Sequence, residues 1–361
     1  MTKRVYNFNP GPSTLPLEVL KKLQTDLLNF ENTGMSIMEI SHRSPEYDKV
    51  HNAAITITKE LMGIDDSYRV LFVGGGASTQ FAYIPMNFLK NGKVGAYVDT
   101  GTWSSKAIKE AQYFGEVHLA ASSKDDGFTF IPQAEEINFP DNSAYLHITT
   151  NNTIKGTQFH FIPETGNVPL IADMSSDILS HQIDFSKFSM IYAGAQKNLG
   201  PSGVTMIVIR EDMLEKIEDG IPTMIDYRTH ATKNSLFNTA PTLPIYILKL
   251  VLEWIKDAGG LAAIEAVNRA KKDIIYGMLD EDPDYFQAPV KKDSRSWMNL
   301  VFRLPSEELE QNLVSEAKSA GFIGLKGHRS VGGIRVSLYN AMTLEGTEKV
   351  AEFIMNFRKN N

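Results

Sequence analysis

The sequence predicts a doubly wound α/β protein carrying a smaller α+β unit, and three observations predict it. Short apolar runs recur: Arg69–Val73, Val94–Val98, Glu116–Ala120, Ala144–Ile148, Val168–Ala172, Met190–Ala193 and Val204–Ile209. Several are unbroken stretches of Val, Ile, Leu, Ala and Tyr, the pattern of strands covered on both faces. Segments of helical period, such as Phe81–Leu89 and Ser105–Phe114, separate some of these runs. Such alternation builds a mainly parallel sheet with helices on its faces. Elsewhere the spacing is too short for a crossover helix, so the seven-stranded sheet is expected to be mixed.

The third observation is a change of pattern after about residue 243. Leu243–Ala258 reads as one helix stopped by Gly259-Gly260, and Leu261–Leu279 reads as another. Strand-like Trp297–Arg303 follows, then a helix from Ser306 to Ala320 stopped by Gly321. Ser306 suits an N-cap, with Glu307 and Glu308 favourable in the first turn. Strand-like Gly333–Leu338 and a last amphipathic helix after Thr343 complete a compact unit, with the Leu243–Ala258 helix as its hinge.

Composition narrows the function. A formal charge of −7 and a pI near 5.7 argue against a nucleic-acid or anionic-membrane surface. With no cysteine, disulfides, thiolate metal sites and a cysteine nucleophile are excluded, and no metal is expected. Met1–Pro12 has no apolar core of signal-peptide length, and no apolar run approaches the ~20 residues of a membrane helix. A cytoplasmic protein is therefore expected.

The chemistry-bearing residues follow the strands. Lys197 lies in the small-residue loop Tyr192-Ala193-Gly194-Ala195-Gln196-Lys197-Asn198-Leu199-Gly200, and Asp173 closes the preceding apolar run. A lysine amine can form a Schiff base with the aldehyde of pyridoxal 5'-phosphate (PLP). A carboxylate can keep the pyridine nitrogen protonated as an electron sink. Gly74-Gly75-Gly76-Ala77-Ser78-Thr79 follows a strand and opens a helix, so its N–H groups make a phosphate cradle. It lacks both the dinucleotide and the Walker spacing. Trp103 could stack on a flat ring, and Thr149-Thr150-Asn151-Asn152-Thr153 offers hydroxyls and amides. All five features fall after the carboxyl ends of expected strands, where open α/β sheets bind ligands.

Two His-Arg pairs, His42-Arg43 and His328-Arg329, suggest a pocket for an anionic substrate. Arg335 sits within an apolar strand and needs an anionic partner if buried. Asn238-Thr239 has no local feature to distinguish it.

These residues resemble the phosphoserine aminotransferases, a group of the class V aminotransferases among the fold-type I PLP enzymes. The likeness covers essentially the whole length. It runs through Phe8-Asn9-Pro10-Gly11-Pro12, Met38–Ser44, Gly75–Ser78, Asn151–Phe159, Ala172–Ser176, the Lys197 block, and Gly327-His328-Arg329 with Arg335. The resemblance implies a Schiff base at Lys197, Asp173 on the pyridine nitrogen, Trp103 stacked on the ring and Thr153 on the phenolic oxygen. Gly76, Ala77, Ser78 and Gln196 would hold the cofactor phosphate, joined by Asn238 and Thr239 from the other subunit of a homodimer. Arg335 would take the substrate α-carboxylate. His42, Arg43, His328 and Arg329 would take the distal phosphate of a phosphorylated 2-oxo acid or the side-chain carboxylate of L-glutamate. The implied domains are 16–258, and 1–15 with 259–361. A side reaction on phosphorylated four-carbon substrates for vitamin B6 synthesis belongs to the same resemblance.

Other readings explain less. An alanine–glyoxylate type aminotransferase would keep Lys197 and Asp173 without needing two His-Arg pairs. A cysteine desulfurase has no cysteine to work with. A Schiff-base aldolase would need neither Asp173 nor a phosphate loop, and a nucleotide-binding module would rest on Gly74–Gly76 alone.

Overall fold

The computed structural model describes residues 4–90 and 92–361. Strand β1 (Tyr6–Asn7) is followed by helices α1 (Leu17–Asp26) and α2 (Pro45–Met62). These two helices were not distinguished by the apolar pattern, although Ser44 caps α2 through Tyr47 N and Pro45 occupies its first turn. Strand and helix then alternate as β2 (Tyr68–Gly75), α3 (Ala77–Phe88), β3 (Val94–Asp99), α4 (Thr102–Ala111) and β4 (Glu116–Ser122). Four strands follow with no long helix between them: β5 (Ser143–Thr149), β6 (Leu170–Asp173), β7 (Met190–Gly194) and β8 (Gly203–Arg210). Two short helices, α5 (Glu211–Leu214) and α6 (Tyr227–Thr232), lead into α7 (Thr242–Asp257).

The seven strands β2 to β8 form one sheet in the order β2-β8-β7-β6-β5-β3-β4. Only β8 runs antiparallel to its neighbours β2 and β7, so the sheet is mixed as expected. Side chains alternate between its faces. Val70, Phe72, Leu146, Ile148, Ala172 and Val208 join a core beneath α1, α2 and α7, while Leu71, Val73, Tyr145, Ile171 and Ile207 join a core beneath α3 and α4. Burial on both faces is the physical reason the strands read as unbroken apolar runs.

A third core holds the C-terminal elements: α8 (Gly260–Glu281), β9 (Asn299–Phe302), α9 (Glu307–Ser319), β10 (Phe322–Ile323), β11 (Ile334–Ser337) and α10 (Leu344–Asn360). Ser306 caps α9 through Leu309 N, and Thr343 caps α10 through Gly346 N. Phe8 belongs to this core, and β1 pairs in parallel with β10, so the N-terminal segment crosses onto the C-terminal unit. Among the described residues no helix is long and apolar enough to cross a membrane, and no cluster of His, Cys, Asp or Glu could hold a metal ion.

Candidate active site

Strand direction gathers the site. Because β8 is antiparallel to both β2 and β7, strands β2, β7, β6, β5 and β3 all run the same way. Their carboxyl ends, with Gly76, Lys197, Asp173, Asn151–Thr153 and Trp103 just beyond or at them, open on one edge.

Asp173 is the last residue of β6 and is buried. Its Oδ1 accepts from both the backbone N–H and the hydroxyl of Ser175, at 2.9 and 2.6 Å. Among the described residues no hydrogen bond engages Oδ2, which remains for a donor in the site. Burial raises the Asp173 pKa, with Lys197 and Ser175 pulling it down. Lys197 is half-buried. Burial lowers its pKa, Asp173 and Asp177 oppose that, and Arg335 adds to it. A lysine with a lowered pKa is the form that can act as nucleophile and proton acceptor.

The Lys197 backbone is fixed by the N-terminal segment. Ser13 donates its hydroxyl to the Lys197 carbonyl at 2.5 Å and its N–H to the Gln196 carbonyl at 3.0 Å. Gly11, at φ 139°, lies so close that a Cβ there would sit 3.3 Å from Lys197 Cγ. A Cβ on Gly194 would come within 2.8 Å of Gln196 Oε1 and 3.3 Å of Ala77 N. That close approach brings the Lys197 loop against the start of α3. The Gly76 N-cap supplies no side-chain acceptor, so the first N–H groups of this 12-residue helix, at Ala77 and Ser78, are free for an anion.

Trp103 stands in the first turn of α4, with its Nε1 donating to Thr153 Oγ1 at 2.8 Å and Lys197 Nζ 5.7 Å from its ring centroid. Arg335 is buried in β11 and donates through Nη1 to the Thr153 carbonyl at 2.9 Å. Its Nε is buried and has no partner among the described residues. His328 and Arg335 line one cavity of about 220 Å³ with Lys155. Burial lowers the His328 pKa, and the nearby Arg335, Arg329 and Lys106 charges lower it further. Arg329 is exposed.

His42 and Arg43 stand in the loop before α2, Arg43 Nε donating to His42 Nε2 at 3.2 Å. Asn238 and Thr239 are exposed and share a cavity with Gly74 and Tyr83. Within this chain no hydrogen bond or ion pair among the described residues joins either pair to Lys197.

Three contributors were not singled out from the sequence. Ser13 is a small residue after Pro12, and nothing in the sequence signals its contact with Lys197. Ser175, two residues after Asp173, is recognisable as an Asx-type partner. Lys106 stands 4.5 Å from the Trp103 centroid, one helical turn along α4, a spacing the sequence does contain.

The donor set fits PLP. A free helix N-terminus suits its phosphate, the open Oδ2 of Asp173 its ring nitrogen, the Trp103 face its ring, and Lys197 its aldehyde. The model of the aminotransferase class-V family matches residues 5–350. A phosphoserine aminotransferase of Geobacillus kaustophilus (strain HTA426) is 56% identical over 357 residues, covering 99% of each chain. The solved phosphoserine aminotransferase of Bacillus circulans subsp. alkalophilus is 50% identical, with a TM-score of 0.98 and 99% of each chain covered. A PLP-bound phosphoserine aminotransferase from Trichomonas vaginalis is 34% identical, with a TM-score of 0.92 over 98% of this chain and 100% of that one. Sequence, fold and the convergence of Lys197 and Asp173 at one sheet edge agree, and the chain belongs to the class V aminotransferases.

Proposed function

We propose that the chain acts as a phosphoserine aminotransferase. It moves the amino group of L-glutamate reversibly to 3-phosphohydroxypyruvate, giving O-phospho-L-serine and 2-oxoglutarate. The observation that carries this reading is the half-buried Lys197 beside buried Asp173, in a chain 56% identical over nearly its full length to an enzyme of that activity.

PLP, when bound, supplies an aldehyde that carries the amino group and a ring that takes up the electron pair left at the substrate Cα. The chain does the rest. Lys197 Nζ takes the Cα proton and returns it to the carbon that needs it, a role favoured by the burial that lowers the pKa of its amine. Asp173 holds the proton of the ring nitrogen through Oδ2. Ala77 and Ser78, with Gly76 and Gln196, hold the phosphate end. Thr153 holds the phenolic oxygen, and the Trp103 face fixes the ring plane. Arg335 takes the α-carboxylate. His328 and Arg329 receive the distal anion, which both substrates carry, so one basic pocket serves both half-reactions.

The reading includes a cytoplasmic homodimer in which His42, Arg43, Asn238 and Thr239 complete the neighbouring copy's site. It also includes two domains, 16–258 and 1–15 with 259–361, and acceptance of phosphorylated four-carbon analogues used in vitamin B6 synthesis.

The visible spectrum of the purified protein tests the reading. L-Glutamate should bleach the yellow band, and 3-phosphohydroxypyruvate should restore it better than an unphosphorylated 2-oxo acid. Lys197→Ala should lose both the band and turnover. Retained transamination in that variant, or a protein that stays colourless with added PLP, would contradict it.

A further inference from the structure

Behind the Asp173–Lys197 pair lies a second carboxyl group to which the mechanism above gives no role. Asp177 is buried, and its Oδ1 lies 2.5 Å from the hydroxyl of Thr150. The same hydroxyl lies 3.1 Å from the carbonyl oxygen of Asp173. Thr150 Oγ1 has one proton and faces two oxygens, so with an ionised Asp177 one of these contacts would bring two acceptors together. With a protonated Asp177 both are hydrogen bonds: Asp177 donates to Thr150, and Thr150 donates to Asp173 O. The other atoms agree. Gln158 Nε2 donates to Asp177 Oδ2 at 3.4 Å, leaving Oδ1 to carry the proton. The Asp173 carbonyl, with two lone pairs, also accepts the Thr150 N–H at 3.0 Å.

We propose that Asp177 is a positioning residue that stands as a neutral acid, fixing the end of β6 through Thr150 and, by withholding its charge, keeping the Lys197 amine easy to deprotonate. The inference rests on the proposed transamination for its kinetic consequence and on donor geometry for the protonation itself.

The surroundings bear on this from every side. Lys197 favours the ionised form of Asp177, Asp173 disfavours it, and the Tyr339 hydroxyl from the C-terminal unit also interacts with its charge. Asp177 also lines a cavity of about 480 Å³ between the sheet and the C-terminal unit, faced by His160, His181, Lys272, Lys292 and Asp293. This cavity gives the acid a path for proton exchange separate from the substrate side. Burial is the main influence on Asp177, and its pKa is pushed up to about 7. As pH rises past that value, the acid ionises, the Thr150 hydroxyl turns towards it, and a negative charge appears near Lys197. Lys197 then becomes harder to deprotonate, so ionisation of Asp177 works against the reaction.

The test is the infrared carbonyl stretch of protonated carboxylic acid, measured on holoenzyme and on cofactor-free protein, wild type minus Asp177→Asn. The proposal expects a band in mildly acidic buffer that bleaches as pH rises through about 7. A flat difference spectrum overturns it. On the acid side the kcat profile of Asp177→Asn should follow wild type, since both groups are neutral there, and above pH about 7 the variant should hold a higher kcat than wild type, because the amide cannot acquire a charge near Lys197. Profiles that stay superimposable above that pH overturn the link to Lys197. Should Asp177→Asn fail to fold, Thr150→Val against Thr150→Ser decides: only Ser should keep the wild-type band. A wild type without transaminase activity would count against the proposed function, while the infrared result would still decide the state of Asp177.

Discussion

Arg335 is a buried guanidinium whose Nη1 lies 2.9 Å from the Thr153 carbonyl and whose Nε has no partner among the described residues. A buried donor without an acceptor costs about 1–3 kcal/mol, and such costs persist where a ligand relieves them. Arg335→Lys should therefore leave thermal stability unchanged or slightly raised while weakening substrate use. Loss of charge-assisted contacts is expected to lower kcat/KM for L-glutamate by about tenfold to a hundredfold (~1.5–3 kcal/mol). Steady-state kinetics beside a thermal melt would check both signs. For exposed Arg329 a narrower effect is predicted. Arg329→Ala should lower kcat/KM for the phosphorylated substrate by a similar factor and leave PLP retention nearly intact. An unchanged specificity constant would remove it from the pocket.

At the scale of elements, Lys271 shows how a helix far from the chemistry holds the site. It lies fully buried in α8 and donates to the carbonyls of Leu338 and Tyr339, just after β11, and of Met342, at 2.9–3.0 Å. Burial lowers its pKa to about 7, yet three carbonyls ask for three N–H donors, which only the ammonium form supplies. The hydrogen-bond geometry favours the charged form. The turn it secures also carries Asn340, whose N–H donates to Asn198 Oδ1, next to Lys197. Lys271→Met should cost about 2–4 kcal/mol of stability, since it strips three buried carbonyls of their donor. It should also lower kcat more than it raises KM, because it loosens Lys197 rather than the substrate pocket. A denaturant melt and a kcat–KM comparison would test this, and a variant as stable as wild type would refute the role. None of this was legible in advance. Lys271 follows Arg269 and Ala270 and precedes Lys272 in a helix, and nothing in that run distinguishes the buried lysine from its solvated neighbours.

At the scale of the whole molecule, a polar seam joins the sheet to the C-terminal unit. Asn151 donates to Ser176 and Asn299 and accepts from Ser296, while Asn299 donates to Ser337 and Tyr339. Tyr339 in turn donates to the Pro10 carbonyl at 2.6 Å, next to the segment that holds Lys197. These groups are buried and mutually satisfied, so the seam fixes how β11, and with it Arg335, meets the cofactor edge. Quaternary structure carries the remaining prediction. If Asn238 and Thr239 serve the neighbouring copy, sedimentation should find a dimer, and dilution that dissociates it should release PLP in parallel. A monomer that keeps the full visible band would contradict this. The sequence by itself determined the seven strands of the large sheet, β9 and β11, most of the helices, and the residues with chemistry to offer, while the short strands β1 and β10 carry no local signal. Period, caps and small-residue loops are local properties, and Lys197, Asp173 and the glycine loop announce themselves by what precedes and follows them. Only the tertiary structure decided which loops share an edge, because that depends on β8 running against its neighbours. It also decided that Ser13 reaches Lys197, that Arg335 Nε has no partner among the described residues, and that Asp177 stands behind Asp173. Each of those depends on contacts between distant segments, and the energies that select them come from burial and donor–acceptor balance in the assembled core.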